Sequence, residues 1–290
     1  MDIGISSPIL EPGVTREIFR RWAEAVDAAP FSTYAVGERV AFPNPHVLSV
    51  LAASAAWTQR VKLTTTVMVP ALYDPVMLAK ELASIDLISR ERLSVGVGIG
   101  GHTEDYVAVN ADLGRRTQPV LQQCIETLRR TWAGEAVREG AGPIGPVPAR
   151  AGTIPILAGA MGPKAIRAAA QWADAVTGWS VDANVDGIAT SFELVKDAWK
   201  EAGRAPPPLI TSFWFAVGEG AREQVDTHLR RYLMRGGALP EGFSNFGFAG
   251  SGAELKQLLR RIEDLGADEV ILATTGIDSD QVQRVADVIG

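Results

Sequence analysis

The sequence predicts a parallel (β/α)8 barrel, and three observations carry that expectation. Short β-rich runs alternate with longer helical patterns about eight times along 290 residues, as strands linked by crossover helices do. Several runs, such as VKLTTTVMV at 61–69 and LITSFWFAV at 209–217, are almost continuously apolar or β-branched, which suits strands covered on both faces. No G-x-G-x-x-G follows the first strand, where an open dinucleotide-binding sheet would carry it; GVGIGG at 96–101 comes after the fourth. The barrel is expected to fill residues 1–290 as one domain, with a loop inserted after the fourth β/α unit.

DIGIS, at residues 2–6, is the first strand. TREIFRRWAEAVDAA follows as an amphipathic helix with Thr15 as its N-cap. STYAVG at 32–37 is the second strand, and PHVLSVLAASAAW the nearly all-apolar helix after it. Residues 61–69 form the third strand, PVMLAKELASIDLIS the next helix, and RLSVGVGIG at 92–100 a fourth strand ending in glycines. Residues 118–132 are helical, whereas AGEAVREGAGPIGPVPARAG is too rich in Gly and Pro for regular structure and reads as the inserted loop. TIPILAG at 153–159 and DAVTGW at 174–179 are the fifth and sixth strands, with helices at 163–170 and 185–202. The seventh strand, 209–218, precedes a helix at 221–234 and a glycine- and phenylalanine-bearing segment at 236–250, expected to be a mobile lid. A helix at 253–265, the eighth strand DEVILAT at 268–274 and a closing helix complete the chain.

With 47% hydrophobic residues the chain can bury a large core. Its net charge of −6 is spread along the sequence without a basic stripe, which argues against nucleic-acid and anionic-membrane partners. Cys124 is the only cysteine, so no internal disulfide or multi-cysteine metal site forms; its helical apolar position reads as a buried thiol. No metal ligand set is expected, because the spacing of His102 to the nearby acids fits no familiar zinc motif. No basic-then-apolar leader or membrane-length apolar run occurs, which points to a cytoplasmic protein.

In such a barrel the active site lies at the C-terminal ends of the strands. That selects Ser6 and Ser7, Glu38 and Arg39, Met68 to Pro70, Gly98 to Asp105, Gly159 to Lys164, and Trp179. Glu38 and Arg39 read equally as a solvated ion pair. His102 precedes Glu104 and Asp105, a gathering suited to acid–base chemistry, but HTEDY also reads as a helix start capped by Thr103. His46 reads as structural, and His228, in a polar helical stretch, as exposed. AGAMGPKAIRAAA places Gly159, Gly162 and Pro163 just before a helix, either as an anion cradle of free N–H groups or as a tight turn. Trp179, Trp214 and Phe213, Phe215, Phe243, Phe246 and Phe248 are divided between pocket and core.

Three stretches together carry a family resemblance: LAASAAWTQRVKLTTTVMVPALYDPVMLAKELASIDLISRERLSVGVGIGGHTEDY, RRTQPVLQQCIETLRRTW and IPILAGAMGPKAIRAAAQWADAVTGW. They closely resemble the bacterial luciferase-like superfamily of flavin and deazaflavin oxidoreductases, from Asp2 to about Gly203. The resemblance implies a flavin-like ring at the barrel mouth. It also implies a non-prolyl cis peptide within Val67, Met68 and Val69 that supports one face of that ring, and a homo-oligomer, commonly a dimer. GAMGPK is more similar to members that use coenzyme F-420 than to those that use FMN. By that likeness Gly159, Ala160, Met161, Gly162 and Pro163 cradle the coenzyme phosphate and Lys164 adds charge. Ser6, Gly98, Gly100, Gly101 and Trp179 complete the implied coenzyme contacts, with Glu38 and His102 as the catalytic candidates. The fourth-strand glycine is followed by Ile99, Gly100, Gly101 and His102 rather than by a glutamate, which departs from sugar-phosphate-oxidising relatives. The implied function is hydride transfer between coenzyme F-420 and a small organic substrate. FMN-dependent oxygenation and non-catalytic flavin binding are the alternatives.

Overall fold

The computed structural model describes residues 1–150, 152–234 and 245–290. Its strands are β1 (Asp2–Ser6), β2 (Thr33–Val36), β3 (Lys62–Thr65), β4 (Leu93–Val97), β5 (Ile156–Ala158), β6 (Ala175–Thr177), β7 (Leu209–Val217), β8 (Phe248–Gly250) and β9 (Glu269–Thr274). All pairings are parallel, and the order β6-β5-β4-β3-β2-β1-β9-β7 closes through a β6–β7 pairing into an eight-stranded barrel. The helices α1 (Arg16–Ala28), α2 (Val47–Trp57), α3 (Pro75–Ser89), α4 (Thr103–Ala108), α5 (Gln118–Trp132), α6 (Pro163–Ala169), α7 (Val185–Glu201), α8 (Ala221–Met234), α9 (Gly252–Asp264) and α10 (Asp280–Ile289) lie along the chain between the strands and after the last.

Local chemistry fixes the element ends. The Thr15 hydroxyl accepts from the Ile18 amide at the start of α1. Asp74 caps α3 by accepting from Val76 and Met77, with Pro75 in the first turn, where its missing N–H costs nothing. Ser251 and Glu254 form a reciprocal capping box on α9. Between α5 and β5, where the inserted loop is expected, the described residues form no helix or strand. Cys124 is buried on α5.

One strand departs from expectation. β8 lies in the segment read as a lid; residues 236–244 of that segment, including Phe243, are outside the described residues. The physical reason is the length of β7. Its nine residues pair with β6 through Leu209 and Ile210 and with β9 as far as Phe215, so its last residues project beyond the barrel. β8 pairs with that projection through Phe248, Ala249 and Gly250. A three-residue strand ending in glycine has no run long enough to announce itself. The expected eighth strand is therefore the ninth in the chain, although it is still the one that closes the barrel against β1.

At the C-terminal end of β3 the Thr66–Val67 peptide is cis, one bond ahead of the expected window at Val67–Val69. The Met68 amide donates to Gly96 O and its carbonyl accepts from Gly98 N, both at 2.9 Å, which ties this turn to β4. A Cβ at Gly159 would lie 2.8 Å from a Val67 methyl, and one at Gly98 3.1 Å from the other. At Gly96 it would lie 2.1 Å from the Thr65 carbonyl oxygen, a backbone atom that cannot swing aside. Bare glycines after β4 and after β5 thus let Val67 fit, and a bare glycine on β4 makes room for the Thr65 carbonyl.

Gly96→Ala is expected to destabilise the protein by at least about 2 kcal/mol, beyond a typical surface change. Gly101→Ala, where a Cβ meets nothing within 4 Å, is expected to stay within about 0.5 kcal/mol. Denaturant unfolding of both variants checks the pair, and equal losses would contradict the packing account.

Candidate functional site

A cleft of about 310 Å³ opens at the C-terminal ends of the strands. Of the residues expected there, Ser6, Glu38, Val67, Val69, Gly100, Gly101, His102, Gly159, Ala160, Met161 and Trp179 line it. Met68 does not, being fully buried in the core, and Gly98 serves the Val67 packing instead. Gly162, Pro163 and Lys164 follow Met161 on the exposed surface. Gly162 caps α6 with φ 83° and ψ 158°, a conformation essentially restricted to glycine.

Glu38 and Arg39 do not pair with each other in solvent. The Glu38 carboxylate accepts the Val69 amide at 2.7 Å and a short hydrogen bond from the Tyr73 hydroxyl, which also lies 3.3 Å from His46 Nε2. Burial pushes the Glu38 carboxyl up to about 7; the Tyr73 and Val69 hydrogen bonds oppose the shift, and the charge of Asp105 adds to it. Arg39 Nε donates to Asp105 Oδ2 at 2.9 Å, both side chains being buried. Asp105 Oδ1 accepts from the Val40 and Ala41 amides, so one carboxylate from α4 organises the chain after β2.

His102 is both things the sequence left open. It lines the cleft, and it occupies the N-cap position of α4, with Thr103 as the first helical residue rather than the cap. Burial, then the charge of Arg39, hold its imidazole below the usual range, against the pull of Asp105 and Glu104.

His228 is a correction. Far from exposed, its side chain is buried at the cleft wall, with Nδ1 2.5 Å from Glu11 Oε1. Burial alone would raise Glu11, but the His228 hydrogen bond and the charges of His228 and Arg231 outweigh it and hold the carboxyl below its ordinary value. An ionised Glu11 can only accept, so Nδ1 carries the proton toward it. Tyr232, four residues on and hence on the same helical face, stacks against the His228 ring at 5.7 Å. The alternation of Ser212 and Trp214 along β7 likewise brings both to the cleft. Sequence reading missed His228, Tyr232, Tyr73 and Glu11 as site residues; the signal available for the α8 pair was their i, i+4 spacing beside Val225 and Leu229. Trp179 and Trp214 line the cleft while Phe213 and Phe215 are fully buried core, and Phe246 and Phe248 pack at the edges of the apolar clusters. Among the described residues no group of three or more His, Cys, Asp or Glu side chains could hold a metal ion.

Residues 3–250 match the luciferase-like monooxygenase family, which covers well over half of the chain. The chain belongs to this family. Among curated family relatives, an uncharacterized protein of Mycobacterium tuberculosis is 35% identical over 170 residues, 56% of this chain. The match spans only 58% of that relative's length. The 5,10-methylenetetrahydromethanopterin reductase of Methanopyrus kandleri is 22% identical over 272 residues, 86% of this chain and 69% of its own. Among solved structures, monooxygenase RslO1 from Streptomyces bottropensis superposes with a TM-score of 0.78 at 23% identity, covering 100% and 98% of the two chains. An F-420-dependent secondary alcohol dehydrogenase in complex with an F-420–acetone adduct gives 0.78 at 15%, covering 99% and 98%. At these identities the structural likeness establishes the luciferase-like barrel fold, and the relatives of the chain include both F-420-dependent reductases and flavin monooxygenases.

The raised Glu38 carboxyl has a stability consequence with a definite sign. The folded state holds a proton up to about 7 that the unfolded chain releases near its ordinary 4.5, so stability falls as pH rises through that window. Glu38→Gln removes the cost and is expected to raise stability above neutral pH by about 1–2 kcal/mol, the full shift being reduced by cleft water. It should also flatten the slope of stability between those pH values. Denaturant titrations across pH check it; a less stable variant at alkaline pH contradicts it.

Proposed function

We propose that this chain is an oxidoreductase that transfers a hydride between coenzyme F-420 and a small organic substrate at the strand-end cleft. The observation that carries the reading is Glu38: a cleft-lining carboxyl whose proton affinity lies near neutrality, one strand away from the Val67 turn. A general acid or base works best when its affinity lies near the working pH. The ring of a deazaflavin, when bound, would supply the hydride-transfer chemistry.

The residues present fit such a group. Val67, wedged against Gly98 and Gly159, offers a fixed apolar platform at the cleft floor. The amides of Ala160, Met161 and Gly162 make no hydrogen bond to the described residues, and they precede α6 at the exposed edge of the cleft. Donors so arranged suit a phosphate, with Lys164 adding a nearby cation. Glu38 would hold or release a proton at its carboxyl oxygens, steadied by Tyr73 and the Val69 amide. His102, kept neutral by burial and Arg39, is a second group able to donate or accept across the cleft.

F-420 is expected to bind at least about tenfold more tightly than FMN, about 1.4 kcal/mol, in parallel titrations of the purified protein. Lys164→Ala should weaken F-420 binding by less than about tenfold, because fixed backbone donors carry most of the contact. Equal affinities, or FMN retained through purification, would overturn the F-420 reading in favour of FMN-dependent oxygenation.

A further inference from the structure

The strand order places β3 and β7 on opposite sides of the eight-stranded ring. Val67 follows β3 and Trp214 lies on β7, and both line the cleft, so a planar group resting on Val67 has its other face toward the β7 wall. That wall is aromatic and continuous. Trp214 meets Trp179 edge-on at 4.6 Å and Tyr232 at 5.6 Å, and Tyr232 in turn meets the His102 ring at 5.3 Å and 86°. Trp179, Tyr232 and His102 are each partly exposed, so their rings present surface to an entering molecule.

The charges of the cleft say what that molecule lacks. Histidines aside, the charged residues that line it among the described residues are Glu38, Arg39 and Asp105. Arg39 and Asp105 neutralise each other at 2.9 Å. No uncompensated cation among these three awaits a phosphate or carboxylate. One polar point remains. Arg39 Nη1 is buried without a hydrogen-bond partner among the described residues, and the guanidinium lies 5.4 Å from the Tyr232 ring centroid. A buried donor left unpaired is costly, and a ligand oxygen would satisfy it.

We propose that the wall formed by β7 and α8 is the substrate subsite and takes an uncharged aromatic compound bearing one acceptor oxygen, of the aryl ketone class. This rests on the redox reading of the cleft and names its substrate class. Tyr232 is its centre, because it touches the rings of Trp214, His102 and His228 and the guanidinium of Arg39. Offset and edge-on contacts with such rings favour an aromatic over an aliphatic ligand of equal size.

The test is isothermal titration calorimetry of the full chain with acetophenone, cyclohexyl methyl ketone and glucose 6-phosphate, alongside the coenzyme titrations. Acetophenone is expected to bind about tenfold more tightly than the aliphatic ketone, which has the same oxygen, and the sugar phosphate to give no saturable heat. Tyr232→Leu, with a thermal melt to verify folding, should bring the two ketones to within about twofold of each other. Equal affinity of the two ketones for the unaltered protein overturns the proposal whatever the variant does, and so does tighter binding of the sugar phosphate. Acetophenone selectivity without binding of F-420 or FMN would leave the subsite standing and remove the redox reading. Coenzyme binding with no ketone preference would do the reverse.

Discussion

The mouth of this barrel depends on one close approach. Val67, at the turn after β3, occupies space that side chains after β4 and β5 would otherwise fill, so Gly98 and Gly159 must be bare, and the Thr65 carbonyl just before the turn demands the same of Gly96 on β4. The Met68 hydrogen bonds to Gly96 and Gly98 then hold the turn in register with β4. From this follow the position of the Val69 amide, which Glu38 accepts, and the place of Tyr73, whose hydroxyl reaches the same carboxyl. A packing constraint among the smallest residues thereby sets the environment of the most strongly perturbed acid at the cleft.

The second constraint is electrostatic. Arg39 sits next to Glu38 in sequence, yet Asp105 from α4 claims it, together with the Val40 and Ala41 amides. Were Arg39 paired with Glu38 instead, the nearby cation would lower the carboxyl. Because Asp105 takes the guanidinium and adds its own negative charge nearby, burial dominates and Glu38 stays protonated to near neutrality. The Glu11–His228–Arg231 cluster on the other wall works in the opposite sense, its hydrogen bonds and charges holding Glu11 ionised. The cleft thus separates two carboxyls by environment, one poised to titrate and one fixed as a structural acceptor.

How much of this was legible follows from what each residue's neighbours are in sequence. The barrel was readable because buried parallel strands leave continuous apolar runs, and the barrel in turn placed Ser6, Glu38, His102, Gly159 and Trp179 at the mouth. Gly159 reads locally as part of an anion cradle or of a tight turn, and the structure adds a demand that neither reading contains: close approach by Val67, 92 residues earlier in the chain, a long-range contact no local pattern encodes. His228 was hidden by composition, since AREQVDTHLRRYL is polar overall although one narrow face of α8 is buried. β8 was hidden by length, because it exists only to cover the end of β7.

The central claim is that Glu38 carries its proton at neutral pH because of where the fold puts it. Difference infrared spectroscopy between the native protein and Glu38→Gln, followed across pH, isolates the stretching band of that one carboxyl. The account predicts a protonated-carboxyl band that disappears with a midpoint near 7. A midpoint in the ordinary range of an exposed glutamate, about 4.3, would contradict it.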